Sequence, residues 1–345
     1  MSYGLYVNPQ NGGKPFQLDD SDCQMLTKLK HVRLMLGRLD IPFPKDEWVY
    51  NKDKRAYYTP VPGIGNYDAF LVVKKGTQSG YIPGLTGAWP NWIDKAWLAD
   101  GGLYAAPKGS QVYHVWDDPY QEYFAFDVFG TPKRTAADNV YGIQLMGMNG
   151  VTTLSDFTKT GYCVWAGEVY APRYAGISVP GINIGDEYRY STYARPKSGE
   201  AILTRMGGSI RADRETTLQV AVFDHQPNLS KMSGWGVEIY NSRGQVTYNT
   251  RYAPMLGGQV LDGNKGGYSK YARPIYNIGT YGSYIREIIK ESYFLNACGL
   301  KISGNRYDVV SFGEVAMGYQ GIANGGYGVI NGVFNMHCLD GDRYF

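Results

Sequence analysis

The sequence contains few charged residues, and this argues against partners that are bound mainly through charge. Only 19% of its 345 residues are charged, and its formal net charge at pH 7 is +3. A protein that binds nucleic acid through phosphate contacts normally carries a dense basic stripe. No such stripe occurs here, so we expect no nucleic-acid partner.

Cysteine and histidine are also scarce. The four cysteines are scattered without a CxxC pair, which predicts free, mostly buried thiols and no disulfide framework (Cys23, Cys163, Cys298, Cys338). The four histidines lack the HxH, HxxxH and HExxH spacings of metal ligands (His31, His114, His225, His337). We therefore expect structural or surface histidines, and neither a metal nor a cofactor.

Long apolar runs are missing as well. No run approaches the roughly 20 residues that a membrane-spanning helix needs, so we expect no membrane insertion. The first residues, Met1-Ser2-Tyr3-Gly4, lack the basic and then apolar segments of a signal peptide. This pattern predicts synthesis in the cytoplasm without a signal.

Glycine and tyrosine, in contrast, are abundant, with 45 and 31 residues, and they suit short strands joined by tight turns. An internal repeat organises them. An aromatic residue, a glycine and alternating apolar residues lead to a closing glycine at Tyr3 to Gly12, Tyr141 to Gly150 and Trp235 to Gly244. The alternation predicts a strand with one buried side, and the closing glycine predicts a hairpin turn.

A second motif, Tyr-Ala-x-Pro, follows each hairpin at Tyr104, Tyr193 and Tyr271. The two motifs together favour a mainly β chain of three diverged, tandem β-sandwich-like units, over residues 1–140, 141–234 and 235–345. The spacing of apolar residues also predicts a short helix over 22–39 and another over 283–297. Residues 319–335 are predicted to form a final pair of short strands.

The first unit contains an insertion, about residues 41–102, that is rich in proline, glycine and tryptophan. We interpret it as loop-rich. Its planar rings lie beside polar side chains, which is the usual equipment for stacking on sugars or anchoring a protein partner. The candidate contact residues are Trp89, Asn91, Trp92, Asp94, Trp97 and Tyr104. The alternative is that these rings form the core of the insertion, because tryptophan is highly buried on average.

Catalytic patterns are missing from the sequence. It has no GxSxG elbow and no phosphate loop. Adjacent carboxylates such as Asp117-Asp118 suit turns better than a glycosidase pair, whose members face each other across a cleft. We therefore expect a protein that is not an enzyme.

The hairpin elements at Met1 to Val7 and at Gly234 to Val246 resemble a family of tailed-bacteriophage proteins encoded among tail genes. Members of that family have an N-terminal "YGLxV" strand, an Asn/Asp-Gly turn and a β-rich body. The resemblance implies a virion structural protein of the tail or tail tip that takes part in tail assembly or host attachment through exposed loops. It also implies other virion proteins and further copies of the chain as partners, with a host-surface glycan or outer-membrane receptor as a further one.

Two other functions stay open from the sequence. One is a glycan-binding or glycan-depolymerising protein of the same phage, which the aromatic insertion and the scattered carboxylates would serve. The other is a virion decoration protein or a general β-repeat interaction module whose tryptophans are simply buried.

Overall fold

A computed structural model describes most of the chain: residues 5–9, 14–18, 25–36, 42–43, 47–80, 89–109, 123–133, 142–147, 150–155, 160–229, 231–233, 236–240, 243–289, 292–313, 318–320, 328–331 and 335–345. Strands make up 61% of the structure and helix 3%, which confirms the expected mainly β fold. Within the described residues, helix is confined to single 3-10 turns at Ile64–Asn66 and Gly341–Arg343. No helix there is long and apolar enough to cross a membrane.

The strands are short and follow one another closely. The first ten are β1 Leu5–Val7, β2 Phe16–Leu18, β3 Thr27–Leu36, β4 Pro42–Phe43, β5 Val49–Asn51, β6 Ala56–Pro60, β7 Tyr67–Lys75, β8 Thr77–Gly80, β9 Trp89–Ala99 and β10 Gly102–Gly109. The next eight are β11 Phe124–Pro132, β12 Gly142–Gly147, β13 Gly150–Ser155, β14 Tyr162–Ala171, β15 Tyr190–Pro196, β16 Glu200–Met206, β17 Ser209–Ala212 and β18 Thr216–Asp224. The last eleven are β19 Glu238–Tyr240, β20 Val246–Asn249, β21 Gln259–Asp262, β22 Gly267–Tyr268, β23 Pro274–Asn277, β24 Gly282–Ile289, β25 Ser292–Ser303, β26 Arg306–Ser311, β27 Gly318–Gln320, β28 Gly328–Asn331 and β29 Asn335–Asp340.

Four antiparallel sheets carry most of these strands. A five-stranded sheet has the order β5-β6-β10-β9-β8, and a four-stranded sheet has the order β4-β3-β11-β7. A six-stranded sheet has the order β14-β18-β15-β23-β29-β21. An eight-stranded sheet is built around β17-β16-β25-β24-β28, with β22, β26 and β27 attached through β25 and β26.

Three apolar cores show that these sheets are stacked in that order. Ile93 and Leu103 of the five-stranded sheet share a core with Val73 of the four-stranded sheet. The preceding residue, Val72, points the other way, into a core with the six-stranded sheet. Since neighbouring residues of a strand face opposite sides, a strand in an inner layer is buried on both. A third core joins the six-stranded and eight-stranded sheets, where Ala194 meets residues such as Leu300.

All three predicted hairpins are two-stranded antiparallel sheets: β1 with β2, β12 with β13, and β19 with β20. In the third, Gly244 has a φ of 72°, as the turn requires. The closing residues of the first two turns, Asn11-Gly12 and Asn149, lie outside the described residues. Apolar, β-branched and aromatic runs in the sequence also predict strands near 69–73, 113–116, 123–129, 199–204 and 216–223. Four of these are present as β7, β11, β16 and β18, and residues 113–116 lie outside the described residues.

Both predicted helices are wrong. Residues 27–36 form β3, which pairs with β11 and β4. Its apolar spacing imitates a helix because β3 lies in an inner layer and is buried on both faces, so the two-residue alternation is hidden. Residues 283–289 belong to β24 and residues 292–297 to β25, and the two strands pair in antiparallel fashion. There the β-branched Ile285, Ile288 and Ile289 favour a strand, and β26 and β28 supply further hydrogen-bonding edges.

The sheets group the predicted units differently from a simple tandem array. The five-stranded and four-stranded sheets use only residues 27–132. The six-stranded and eight-stranded sheets each combine strands from residues 141–234 with strands from 235–345, as in the pairings of β15 with β23 and β16 with β25. The limit at residue 234 therefore does not separate two sheets. The three repeat units stay a prediction about the sequence.

Candidate functional site

The tryptophan-rich segment predicted as a loop is a strand. It forms β9, which is paired on one side with β10 and on the other with β8. Ile93 is completely buried in the core beneath. Because β9 lies inside the sheet, hydrogen-bonded to a strand on each side, residues 89–99 are extended even though they contain few apolar residues in succession.

Three aromatic rings lie side by side across the outer face of the five-stranded sheet. Tyr58 of β6 is the register partner of Tyr104 of β10, which in turn is the partner of Trp97 of β9. The Trp97 and Tyr104 rings are stacked, with centroids 5.2 Å apart and 9° between their planes. The Tyr58 and Tyr104 rings are 4.8 Å apart. We call these three residues the outer aromatic row; Tyr104 is buried at its centre, while Tyr58 and Trp97 are half-buried.

A charged pair sits over the centre of this row. The Lys54 Nζ lies 4.3 Å from the centroid of the Tyr104 ring, and it also pairs with the carboxylate of Asp100. The hydroxyl of Tyr104 donates to Asp100 Oδ2 at 2.9 Å. Hydrogen bonds from Lys54 and from Tyr104 lower the pKa of Asp100. The central ring of the row is therefore covered by a charged pair, with the rings of Tyr58 and Trp97 on either side.

The other predicted contact residues do not all join the row. Trp92 pairs with Lys108, which places it on the same outer face as Trp97, and it is half-buried. Asn91 is 3% exposed, and its Nδ2 has no hydrogen-bond partner among the described residues. Asp94 is exposed, beside the β-bulge between β9 and β10. The side chain of Trp89 lies outside the description.

An open cleft of about 480 Å³ lies next to the row. It runs between the start of β7 and the turn that joins β9 to β10. Asp68 and Asp100 contribute carboxylates to it, and Lys133 contributes a cation. Its lining also includes Ile64, Tyr67, Ala69, Phe70, Leu98, Ala99, Gly101 and Gly102.

A second polar arrangement is buried where the four-stranded sheet meets Arg205 of β16 and Glu187 of the segment before β15. We call it the buried charge cluster: Lys28, His31, Lys74, Asp127, Glu187 and Arg205. Asp127 Oδ1 lies 2.6 Å from His31 Nδ1 and 3.2 Å from Lys28 Nζ, and all three side chains are at most 2% exposed. Arg205 Nε lies 2.9 Å from Glu187 Oε1. Lys28 also donates to the backbone carbonyl of Glu187 at 2.5 Å, so the two ion pairs are connected.

Electrostatics within the buried charge cluster follow from this pairing. Burial by itself raises the pKa of Asp127, but Lys28 and His31 outweigh burial and lower it. Burial likewise opposes ionisation of Glu187, but Arg205 and Lys74 lower its pKa. For Lys74, burial and the neighbouring Arg205 lower the pKa to about 8, against the opposing pull of Glu187 and Asp127. Two carboxylates therefore stay ionised in the interior, while one lysine is close to losing its proton.

Two more histidines lie between the four-stranded and six-stranded sheets. His337 accepts or donates a hydrogen bond with Tyr193 at 2.8 Å, stacks on Phe70 and Phe129, and is buried, which lowers its pKa to about 3. His225 Nε2 lies 2.8 Å from Ser191 Oγ, and burial lowers the pKa of His225 well below its usual value. Ser191 is only 2% exposed. This serine–histidine pair is therefore part of the packed interface and does not face the cleft.

Sequence reasoning missed the buried charge cluster. The available signal was weak: Lys74 follows the apolar run Leu71 to Val73, and Asp127 interrupts an apolar strand after Phe126. A charge inside such a run either lies at a surface or has a buried partner. Only the stacking of the sheets shows that Lys74 and Asp127 are buried with partners.

No group of three or more His, Cys, Asp or Glu side chains that could hold a metal ion occurs in the part of the chain that the structure describes. Asp117 and Asp118, the adjacent carboxylates considered above, lie outside that part.

Neither a curated protein nor a solved structure matches this chain significantly. A family model matches residues 108–320, beginning where the five-stranded sheet ends and reaching β27. Because this match covers more than half of the sequence, the chain belongs to a family of unknown function (DUF6453).

Proposed function

We propose that this protein is a structural component of a tailed-bacteriophage virion, in the tail or tail tip, where it takes part in tail assembly and host-surface attachment. The observation that supports this function best is the outer aromatic row on a stack of sheets. A row of rings held by strand pairing forms a rigid contact surface, because ordering it costs little conformational entropy on binding. The resemblance of the hairpin elements to phage tail proteins adds the virion context.

The contact works by stacking and burial. Trp97 and Tyr58 present ring faces and edges, and aromatic residues of this kind dominate binding energy at protein interfaces. The Lys54–Asp100 pair over the central ring supplies a donor and an acceptor for a polar ligand group. The partners under this proposal are neighbouring tail proteins, further copies of this chain, and a host glycan or outer-membrane receptor. The protein would act by binding and not as an enzyme.

The first test is to locate the protein. Antibodies against this chain, applied to native phage particles, would label the tail or its tip in electron micrographs, and mass spectrometry of purified virions would detect the chain. Absence of both signals would contradict the virion proposal. Binding of the purified protein to host cells, compared between wild type and Trp97→Ala, would then test the contact surface.

A glycan-binding or glycan-depolymerising protein is the second candidate, and the cleft favours it. Carboxylates of Asp68 and Asp100 line a space beside a row of sugar-stacking rings. Release of reducing sugar from host capsule or lipopolysaccharide, lost in Asp68→Asn and Asp100→Asn, would support depolymerisation. Glycan binding without release would support a lectin-like role.

A plain interaction or decoration module is the remaining alternative. In that case Trp97→Ala would lower stability without changing attachment to cells, because the ring would serve only to cover Tyr104.

A further inference from the structure

The most unusual contact in the molecule joins a lysine and an asparagine that are 203 positions apart. Lys74 is at the end of β7 in the four-stranded sheet, and Asn277 ends β23 in the six-stranded sheet. Lys74 Nζ donates to the side-chain oxygen of Asn277 and to the backbone carbonyl of Ile278, the latter at 2.8 Å. Lys74 is 4% and Asn277 1% exposed. The amine is therefore held against the Asn277 carboxamide, away from water.

The backbone around this contact is fixed. The amide of Thr280 donates to the carbonyl of Lys74 at 2.7 Å, and the amide of Gly76 donates back to the carbonyl of Thr280 at 3.2 Å. Gly279 makes this approach possible, because a Cβ on it would lie 2.3 Å from the carbonyl oxygen of Lys74. Two reacting groups held in this way need no further loss of translational freedom.

The carboxamide nitrogen of Asn277 has the features of a leaving group. Its Nδ2 is buried and makes no hydrogen bond of ordinary geometry among the described residues, since the interaction of the Asn277 side chain with Tyr193 falls outside those limits. A buried, unpaired amide donor costs free energy, and such a group in a native structure calls for an explanation. Replacement of this nitrogen by that of Lys74 would remove the unsatisfied group.

The protonation states also suit such a reaction. Burial and Arg205 lower the pKa of Lys74 to about 8, so a neutral, nucleophilic amine is accessible near physiological pH. Two carboxylates act on Lys74 electrostatically, and the effect of Glu187 is larger than that of Asp127. Both carboxylates are already paired, Asp127 with Lys28 and His31 and Glu187 with Arg205. The proton of Lys74 is therefore lost to the buffer as the pH approaches 8.

We propose that Lys74 and Asn277 join in an intramolecular isopeptide bond, an amide cross-link that staples the four-stranded sheet to the six-stranded sheet. The Lys74 ammonium first loses a proton to the buffer. The neutral Nζ then attacks Cγ of Asn277, so that the Nζ–Cγ bond forms. One of the two remaining Nζ protons passes to Nδ2, the Cγ–Nδ2 bond breaks, and the nitrogen leaves as ammonia. No oxidant or cofactor is required.

This inference does not rest on the proposed function, and a single measurement decides it. Intact-mass spectrometry of the denatured wild-type protein, after incubation in the folded state at pH 8, would show a mass about 17 Da below that of the sequence, the mass of ammonia. Proteolysis would yield one branched peptide that contains both Lys74 and Asn277. The full unmodified mass, or a mass deficit that maps to other residues, would overturn the proposal.

Variants define the roles of the groups. Lys74→Arg and Asn277→Ala should keep the full mass of their sequences. Lys75→Arg, at the neighbouring position on β7, should retain the deficit of about 17 Da and serves as the matched control. In a time course, the cross-link should form at least tenfold faster at pH 8 than at pH 6, because more of Lys74 is then neutral, and equal rates at the two pH values would contradict attack by the neutral amine. If a variant fails to fold, the wild-type mass and its peptide map still decide the proposal.

Discussion

The carboxylate of Asp127 is predicted to stabilise the buried face of the four-stranded sheet by neutralising Lys28 and binding His31, and Asp127→Asn tests this. Leaving His31 aside, the buried charge cluster contains three cations, Lys28, Lys74 and Arg205, against two carboxylates, Asp127 and Glu187. Its formal charge is therefore 3 − 2 = +1 while Lys74 is a free ammonium, and the substitution raises it to 3 − 1 = +2. Removing one partner of a buried ion pair costs about 3–5 kcal/mol, because the other charge is left uncompensated.

Urea unfolding followed by tryptophan fluorescence would measure this loss. Trp48 is a suitable reporter, since it is 1% exposed and its ring centroid lies 6.2 Å from that of Phe126, next to Asp127 in the chain. Asp94→Asn is the matched control, because Asp94 is exposed and should change stability by less than about 0.5 kcal/mol. Both variants are compared with wild type in the same cross-link state, as established by intact mass. A loss below about 1 kcal/mol for Asp127→Asn would refute the argument, since exposed ion pairs commonly contribute that much.

The pH dependence of stability gives a second readout of the same carboxylate. The folded-state pKa of Asp127 is lowered below its unfolded value of about 3.9. An acid with a depressed pKa contributes stability that is fully present above the unfolded pKa and is lost as the pH falls through the folded one. Wild type should therefore lose stability as the pH falls below about 4, and Asp127→Asn should lose less over the same interval. Glu187, whose pKa is also lowered, keeps part of the slope in both proteins.

Three further predictions concern other parts of the molecule. Trp97→Ala should reduce binding to host cells at least tenfold, whereas Trp165→Ala, which alters the six-stranded sheet, should leave binding unchanged in the same cell-binding assay. Gly279→Ala should lower the free energy of unfolding, measured by urea titration, by about 1–3 kcal/mol, because its Cβ would clash with the carbonyl of Lys74. Gly65→Ala is the control, and it should cost less than about 1 kcal/mol because no atom lies near the added Cβ. In native protein at pH 8, three cysteines should resist thiol alkylation, and they should react after unfolding, as peptide mapping would show. The reason is that burial raises the pKa of Cys163 and of Cys298 to about 12 and that of Cys338 to about 11.

A cross-link between Lys74 and Asn277 would have a large effect on stability. It would close a loop of 203 residues, and the chain-entropy relation for a cross-link of that length gives about 5 kcal/mol. Such a link ties together the four-stranded and six-stranded sheets. It would offset the cost of burying Lys74 and make separation of the sheets depend on breaking a covalent bond.

Much of the secondary structure could be predicted from the sequence because its signals are local. The three hairpins follow from two-residue alternation closed by glycine, and Gly244 has the positive φ that its turn needs. Strands β7, β11, β16 and β18 were predictable from β-branched and aromatic runs between turn residues. Each of these signals needs only a few neighbouring residues, so it survives without knowledge of the rest of the chain.

Prediction failed where a strand is buried on both faces or where its pattern is mixed. Strand β3 has the apolar spacing of a helix only because Lys28 and His31 occupy interior positions. Strand β9 combines tryptophan, proline and charge, which indicates a loop until its pairing with β8 and β10 is known. Tertiary context overrides local propensity in both cases. The candidate residues Trp97 and Tyr104 proved to be stacked, but their partner Tyr58, 46 positions before Tyr104, had no signal of its own in the sequence.

The sequence by itself determined the class of fold, since its many glycines and tyrosines, scarce charge and repeated hairpin pattern suit strands and turns. Only the tertiary structure decided which residues meet. Lys74 and Asn277, or His31 and Asp127, come together because sheets from distant parts of the chain stack on one another. Contacts at such separations depend on layer order and strand register, which no short window of sequence encodes. The outer aromatic row and the buried charge cluster are therefore determined by the whole fold, whereas each hairpin is determined by the few residues that form it.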